Sequence, residues 1–175
     1  MSQEALNLLA ANEDIVSLKT IYNEDPTIKQ IKEQLPVIEQ GVVNLLAGLS
    51  LPTLDLNEFS IKEGNAWLGQ IQQKRDDCAR YDSILKTYEY HIKRHWTLAY
   101  SICMTQPVIE SMRSNEQRVA HIDRLFPEIV DLRERATLAA KKLQIVHDNL
   151  QQASYNFSAQ QKNIQFLAGL RHINA

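Results

Sequence analysis

From Pro127 to Leu170 the apolar residues fall on a seven-residue repeat. One set of positions is Ile129, Ala136, Leu143, Leu150, Phe157 and Ile164. A second, three residues further on, is Leu132, Ala139, Val146, Ala153, Gln160 and Leu167, in which only Gln160 is polar. Alternating three- and four-residue spacing keeps these side chains on one face of a helix, and the pattern predicts a coiled-coil-like seam with Leu132, Leu143, Leu150, Phe157 and Ile164 as its anchors. Pro127 suits a first helical position and Gly169 the position just past an end. At 1.5 Å per residue such a helix is roughly 60 Å long, and it needs a partner of similar length. Upstream, Ile71, Cys78, Leu85, Ile92 and Ala99 repeat the heptad, with Tyr81, Tyr88, His95 and Ile102 three residues after Cys78, Leu85, Ile92 and Ala99. The expected fold is all-α, with a core of two long helices packed antiparallel as a hairpin.

The first 50 residues read as short helices with their own stop signals. Asn12 is placed to cap a helix carrying Ile15, Leu18 and Tyr22, which ends by Asn23. Asp25-Pro26 opens the next as cap and first residue, with Ile28, Ile31 and Leu35 inward. Pro36 is expected to kink or restart that helix. Val42, Val43, Leu45, Leu46 and Leu49 follow, apolar on more than one side, which predicts packing inside the protein or against another subunit. Residues 50–60, with Pro52 and no sustained period, read as a linker. The expected division is a short-helix region over 1–56 and the hairpin over 57–175. The first long helix runs from Ile61 or Trp67 to about Thr105, because Pro107 disfavours helix at Gln106. Ser114 to Gln117 reads as a capping box for a helix with Val119, Ile122 and Phe126 inward.

Composition narrows the classes. With 44% hydrophobic and 23% charged residues in 175, the chain can bury one sizeable core. Its start lacks the basic segment and long apolar run of a secretory signal. Its most apolar window, Gly41 to Leu51, is far short of the roughly 20 residues that cross a bilayer. A soluble protein of the cytoplasm, without a membrane partner, is expected. Cys78 and Cys103, about 37 Å apart along one helix, are too distant to bridge within a chain, and free thiols fit a reducing compartment.

The candidate chemistry is sparse. His91 and His95 lie one turn apart but lack the Glu-x-x-His or Cys-x-x-Cys company of a metal site. The serines have no Gly-x-Ser-x-Gly context, and neither cysteine has a histidine partner nearby in sequence. Asp76-Asp77 and Asp131 with Glu134 read as solvated helix faces. No catalytic residue, metal or cofactor is expected.

Charge changes the picture more. Residues 1–66 hold four Lys/Arg against ten Asp/Glu and 67–175 hold fifteen against eleven, so an acidic head of about −6 precedes a body of about +4. Within the body, Lys86, Lys93 and Arg94 lie near Trp96, the last two in the run His91-Ile92-Lys93-Arg94-His95-Trp96. If the hairpin folds back so that Thr105 opposes Pro127, Lys93 falls near Ala139, alongside Lys141 and Lys142. Those five cations with Trp96, and Tyr100 near it, combine phosphate neutralisation with a stacking face, as single-strand grooves do. A buried Trp96 and ordinary solvated lysines would account for the same residues.

Trp67-Leu68 at the head of the first long helix, Lys93-Arg94-His95-Trp96 near its end, and Asn156-Phe157-Ser158 through Lys162-Asn163-Ile164-Gln165 in the last helix resemble the UvsY-type recombination mediators of tailed bacteriophages. The resemblance covers roughly residues 67–170 and leaves out the acidic head. It implies a small helical protein that loads a RecA-like recombinase onto single-stranded DNA in exchange for a single-strand-binding protein, acts in the host cytoplasm, contacts DNA through its basic-aromatic helix, and assembles as a homo-oligomer, in that family a ring. The competing expectation is a phage structural or adaptor protein whose seam binds only other proteins.

Overall fold

A computed structural model of the protein describes residues 7, 9–47 and 61–173. The described chain is all-α: α1 (Glu13–Glu24), α2 (Pro26–Ala47), α3 (Ile61–Met104), α4 (Pro107–Glu110), α5 (Asn115–Leu125) and α6 (Pro127–Ile173). The linker assigned to residues 50–60, together with Leu49, lies outside the described residues.

Local chemistry sets most helix ends. The Asn12 side chain accepts from the Asp14 amide at 3.0 Å and caps α1, satisfying a donor that the helix cannot pair itself. Asp25 does the same for α2, accepting from the amides of Thr27 at 2.7 Å and Ile28 at 3.3 Å, with Pro26 as first residue. Pro107 opens α4, and Ser114 caps α5 through the Gln117 amide at 3.2 Å. The exposed Glu116 carboxylate is held below its ordinary pKa by its own backbone amide and by the Ser114 hydroxyl.

A helix restart at Pro36 and a helix end at Gly169 are absent. Pro36 sits inside α2, which continues as one helix from Pro26 to Ala47. Pro36 removes one backbone bond, but Ile31, Leu35, Ile38 and Val42 are buried on both sides of it, and their packing holds the helix across the gap. Gly169 does not end α6, which runs to Ile173, and no described glycine adopts positive φ.

The chain divides into two compact units. One comprises Met1–Ile38 with Ile84–Ala139, and the other Glu39–Ser83 with Ala140–Ala175.

In the first unit the N-terminal helices belong to the core. Ile15, Leu18, Ile28, Ile31 and Leu35 are buried with Leu85, Tyr88, Ile92, Ala99 and Cys103 of α3, Ile122 of α5, and Ile129, Leu132, Ala136 and Ala139 of α6. Polar contacts fix how α1 and α2 meet α3. Asp25 reaches His95 at 2.9 Å, the Tyr88 hydroxyl donates to Gln34 at 2.7 Å, and Asn12 donates to Gln106 at 3.1 Å. The contacts with α2 run in opposite order along the two helices, so α2 lies antiparallel to α3 here. Two long helices alone do not make this core.

In the second unit Trp67 stacks on Phe157, with ring centres 4.7 Å apart and planes at 28°. Ile71 and Cys78 of α3, and Leu143, Val146, Leu150 and Ala153 of α6, are buried with Phe157. Tyr81 lies so close to Gly41 that a methyl group there would come within 2.7 Å of the ring carbon Cζ. Glycine at this position lets α2 approach α3.

Heptad positions are buried in each unit: Ile129, Leu132, Ala136 and Ala139 in the first, and Leu143, Val146, Leu150, Ala153 and Phe157 in the second. Gln160 is exposed. The side chains of Ile164 and Leu167 lie outside those described.

Candidate nucleic-acid interface

Residues four and seven apart share a helix face, so Lys86, Tyr90, Lys93, Arg94 and Thr97 form one strip along α3. All five are exposed, and Tyr90 is 65% accessible. Two half-buried acids border the strip: Asp82, four residues before Lys86, and Glu89, four before Lys93. The strip thus carries three cations around one solvent-facing aromatic ring, and all of it lies in the first unit.

The four-residue run Lys93-Arg94-His95-Trp96 divides into two roles. Lys93 and Arg94 face solvent, while His95 and Trp96 are half-buried and tied to other helices. His95 Nε2 lies 2.9 Å from Asp25 Oδ2, and Tyr22 meets the imidazole edge-on with ring centres 5.6 Å apart. The Trp96 indole N–H donates to Asp123 of α5 at 2.8 Å. Tyr100 stacks against the indole at 5.3 Å, and the Arg133 guanidinium of α6 lies over it, also at 5.3 Å. Arg133 in turn reaches the Asp123 carboxylate at 3.5 Å. These neighbours engage Trp96 as a joint between α3, α5 and α6, a tertiary role that its sequence neighbours do not reveal. Tyr90 is the more exposed ring, with His91 edge-on to it at 5.3 Å between ring centres; the sequence signal for it was its four-residue spacing from both Lys86 and Arg94.

Of the remaining expected cations, Lys141 is exposed and Lys142 half-buried, and both belong to the second unit. Lys32 is committed elsewhere. Its ammonium pairs with Glu128 at 2.7 Å, bonds Asn23 at 3.1 Å and lies over the Tyr22 ring at 4.7 Å.

Electrostatics elsewhere favour structure over reactivity. Burial pushes the Cys103 thiol up to about 11 against the pull of Lys19, and burial with the Asp77 charge raises Cys78, so both free thiols stay protonated near neutrality. Burial and the charges of Glu128 and Asp131 raise the Tyr22 phenol well above its ordinary value. Burial tends to raise the Asp25 carboxyl, but the bonds from His95, Thr27 and Ile28 outweigh it and hold the group below 3.8. Among the described residues no three His, Cys, Asp or Glu side chains are grouped to hold a metal, and no helix is long and apolar enough to cross a membrane.

Compared with known proteins, the chain matches no family model, no curated protein and no solved structure.

Proposed function

We propose that this protein binds single-stranded nucleic acid through the α3 strip and acts as a recombination mediator of the UvsY type, without catalysing a reaction. The observation that supports the reading is the strip itself: Lys86, Lys93 and Arg94 surround an exposed Tyr90 along one stretch of α3. Three cations supply sequence-independent attraction to phosphates, and an exposed phenol ring offers a face to any base. Anchoring of His95 to Asp25 and Trp96 to Asp123 holds the stretch of α3 that carries the basic pair, so the ordering cost of binding falls on the exposed side chains and not on the backbone.

Lys141 and Lys142 on α6 are proposed as further phosphate contacts. A single strip of three charges binds weakly, and the mediator reading therefore includes a homo-oligomer, joined through outer faces of the helices because the heptad face is buried within the chain, that multiplies the strip. A strand held on several copies is extended for a RecA-like recombinase to take over from a single-strand-binding protein. Mixing labelled oligothymidylate with the protein at low and high salt tests the first step. Binding that weakens steeply with salt supports it, and no binding at low salt refutes it.

A second reading, a structural or adaptor protein, is favoured by one feature: Ile145, Tyr155 and Phe166 of α6 are 54%, 72% and 67% exposed, which suits protein contact better than nucleic acid.

A further inference from the structure

The second unit has a face that the nucleic-acid reading does not use. Along α6, Leu143, Val146, Leu150, Ala153 and Phe157 point into the core. At 100° per residue, the direction opposite to them is taken by Ile145, Asp148, Gln152, Tyr155, Lys162 and Phe166, all of them exposed. Three large apolar side chains in water along one helix face signal a contact surface. A shallow recess of about 430 Å³ lined by Asp148, Gln151, Gln152 and Tyr155 lies on the same face.

The order of residues on this face is symmetric about Tyr155. Asp148 stands seven positions before it and Lys162 seven after; Ile145 stands ten before and Phe166 eleven after. The geometry points to this outer face of α6 as a self-association surface that takes a second copy of the chain, antiparallel, with a two-fold axis at Tyr155. In that register each Asp148 meets Lys162 of the second copy, each Ile145 meets the other's Phe166, and the two tyrosines meet at the axis, each ring beside the other's recess. The Asp148–Lys162 and Ile145–Phe166 pairs each form twice, as a two-fold contact requires. A parallel pairing would instead set Asp148 against Asp148 and Lys162 against Lys162, so the charges select the antiparallel arrangement. Asp148 is available for this: its side chain is 63% exposed, and its neighbours Gln144 at 2.8 Å and His147 at 3.6 Å leave its outer side to solvent. The inference is independent of nucleic-acid binding, since none of these residues belongs to the α3 strip.

Sedimentation of the full chain over a range of concentrations, with helicity checked by circular dichroism, tests it. The wild type should associate. Asp148→Lys and Lys162→Asp, each creating two like-charge contacts per pair of copies, should each weaken association by at least about tenfold. The double variant, which restores opposite charges with the order reversed, should associate again. A wild type that stays monomeric, single variants that associate normally, or a double variant that stays dissociated would each overturn the proposal.

Discussion

Asp25 holds α2 with one carboxylate oxygen and α3 with the other. Its Oδ1 accepts from the first amides of α2, and its Oδ2 lies 2.9 Å from His95 Nε2. One side chain therefore starts a helix and fastens it to the helix that carries the basic strip. Asp25→Ala should remove both the cap and the histidine bond, at a cost of about 2–4 kcal/mol in chemical denaturation. Asp25→Asn keeps a capping oxygen and should cost about half as much. Equal, negligible costs from both would show that the bond does not fasten the helices.

The same carboxylate gives a pH signature. Its folded pKa lies below its unfolded value of 3.8, so the folded state binds the proton less readily than the unfolded chain. Its contribution is present above 3.8 and is lost as the pH falls through the lower folded value. The stability gap between wild type and Asp25→Asn should therefore narrow as the pH is lowered from about 5 towards about 3. A gap that widened would reverse the assigned sign.

Two glycines in the second unit should respond oppositely to alanine. At Gly69 an added methyl meets nothing within 4 Å, and Gly69→Ala should gain about 0.5–1 kcal/mol from helix propensity. At Gly41 the methyl meets the Tyr81 ring, which must shift. Gly41→Ala should forfeit that gain and cost about 1–3 kcal/mol in urea unfolding, and Tyr81→Ala in the same chain should relieve the clash.

Leu150 is fully buried in α6. Leu150→Ala should cost about 2–5 kcal/mol, and Leu150→Asp, which buries an unpaired charge, should cost the fold or its assembly. A soluble Leu150→Asp protein of wild-type size and stability would remove this residue from the core.

How much of this was legible in the sequence follows from range. Asn12, Asp25 and Ser114 cap amides within three residues, and Pro26 and Pro127 suit a first turn where an N–H has no partner, so these helix starts were legible; Pro107 was read only as ending α3 and not as opening α4. Burial of Ile129 through Phe157 was legible because a helix face repeats every seven residues. The partners of His95 and Trp96 were not. His95 reads as one more seam residue until Asp25, seventy positions away, is seen against it, and Trp96 reads equally as a stacking face or a buried ring until Asp123 and Arg133 are seen against it. The restart that Pro36 could signal does not occur, because local rules count its missing donor but not the buried residues on both sides. Periodicity marked the buried face but not what covers it, so the place of α1 and α2 in the first unit's core was hidden.

Tyr90 and Trp96 separate binding from structure. Tyr90→Ala should change stability by no more than about 0.5 kcal/mol while weakening single-strand binding by about 1–3 kcal/mol. Trp96→Phe should remove the Asp123 bond, at about 1 kcal/mol of stability, and leave binding nearly unchanged. The opposite result would return the stacking role to Trp96.

The central claim is that Lys93 and Arg94 touch phosphates. Its most direct test is the affinity of the full chain for a labelled single strand, measured by anisotropy at several salt concentrations for wild type, Lys93→Ala with Arg94→Ala, and Lys29→Ala as a control on an exposed part of α2. The double variant should bind more weakly, and its slope of log affinity against log salt should be shallower by about 0.7 for every phosphate it no longer neutralises. The Lys29 variant should match the wild type. A double variant with wild-type affinity and slope would contradict the account and leave the protein-binding reading in its place.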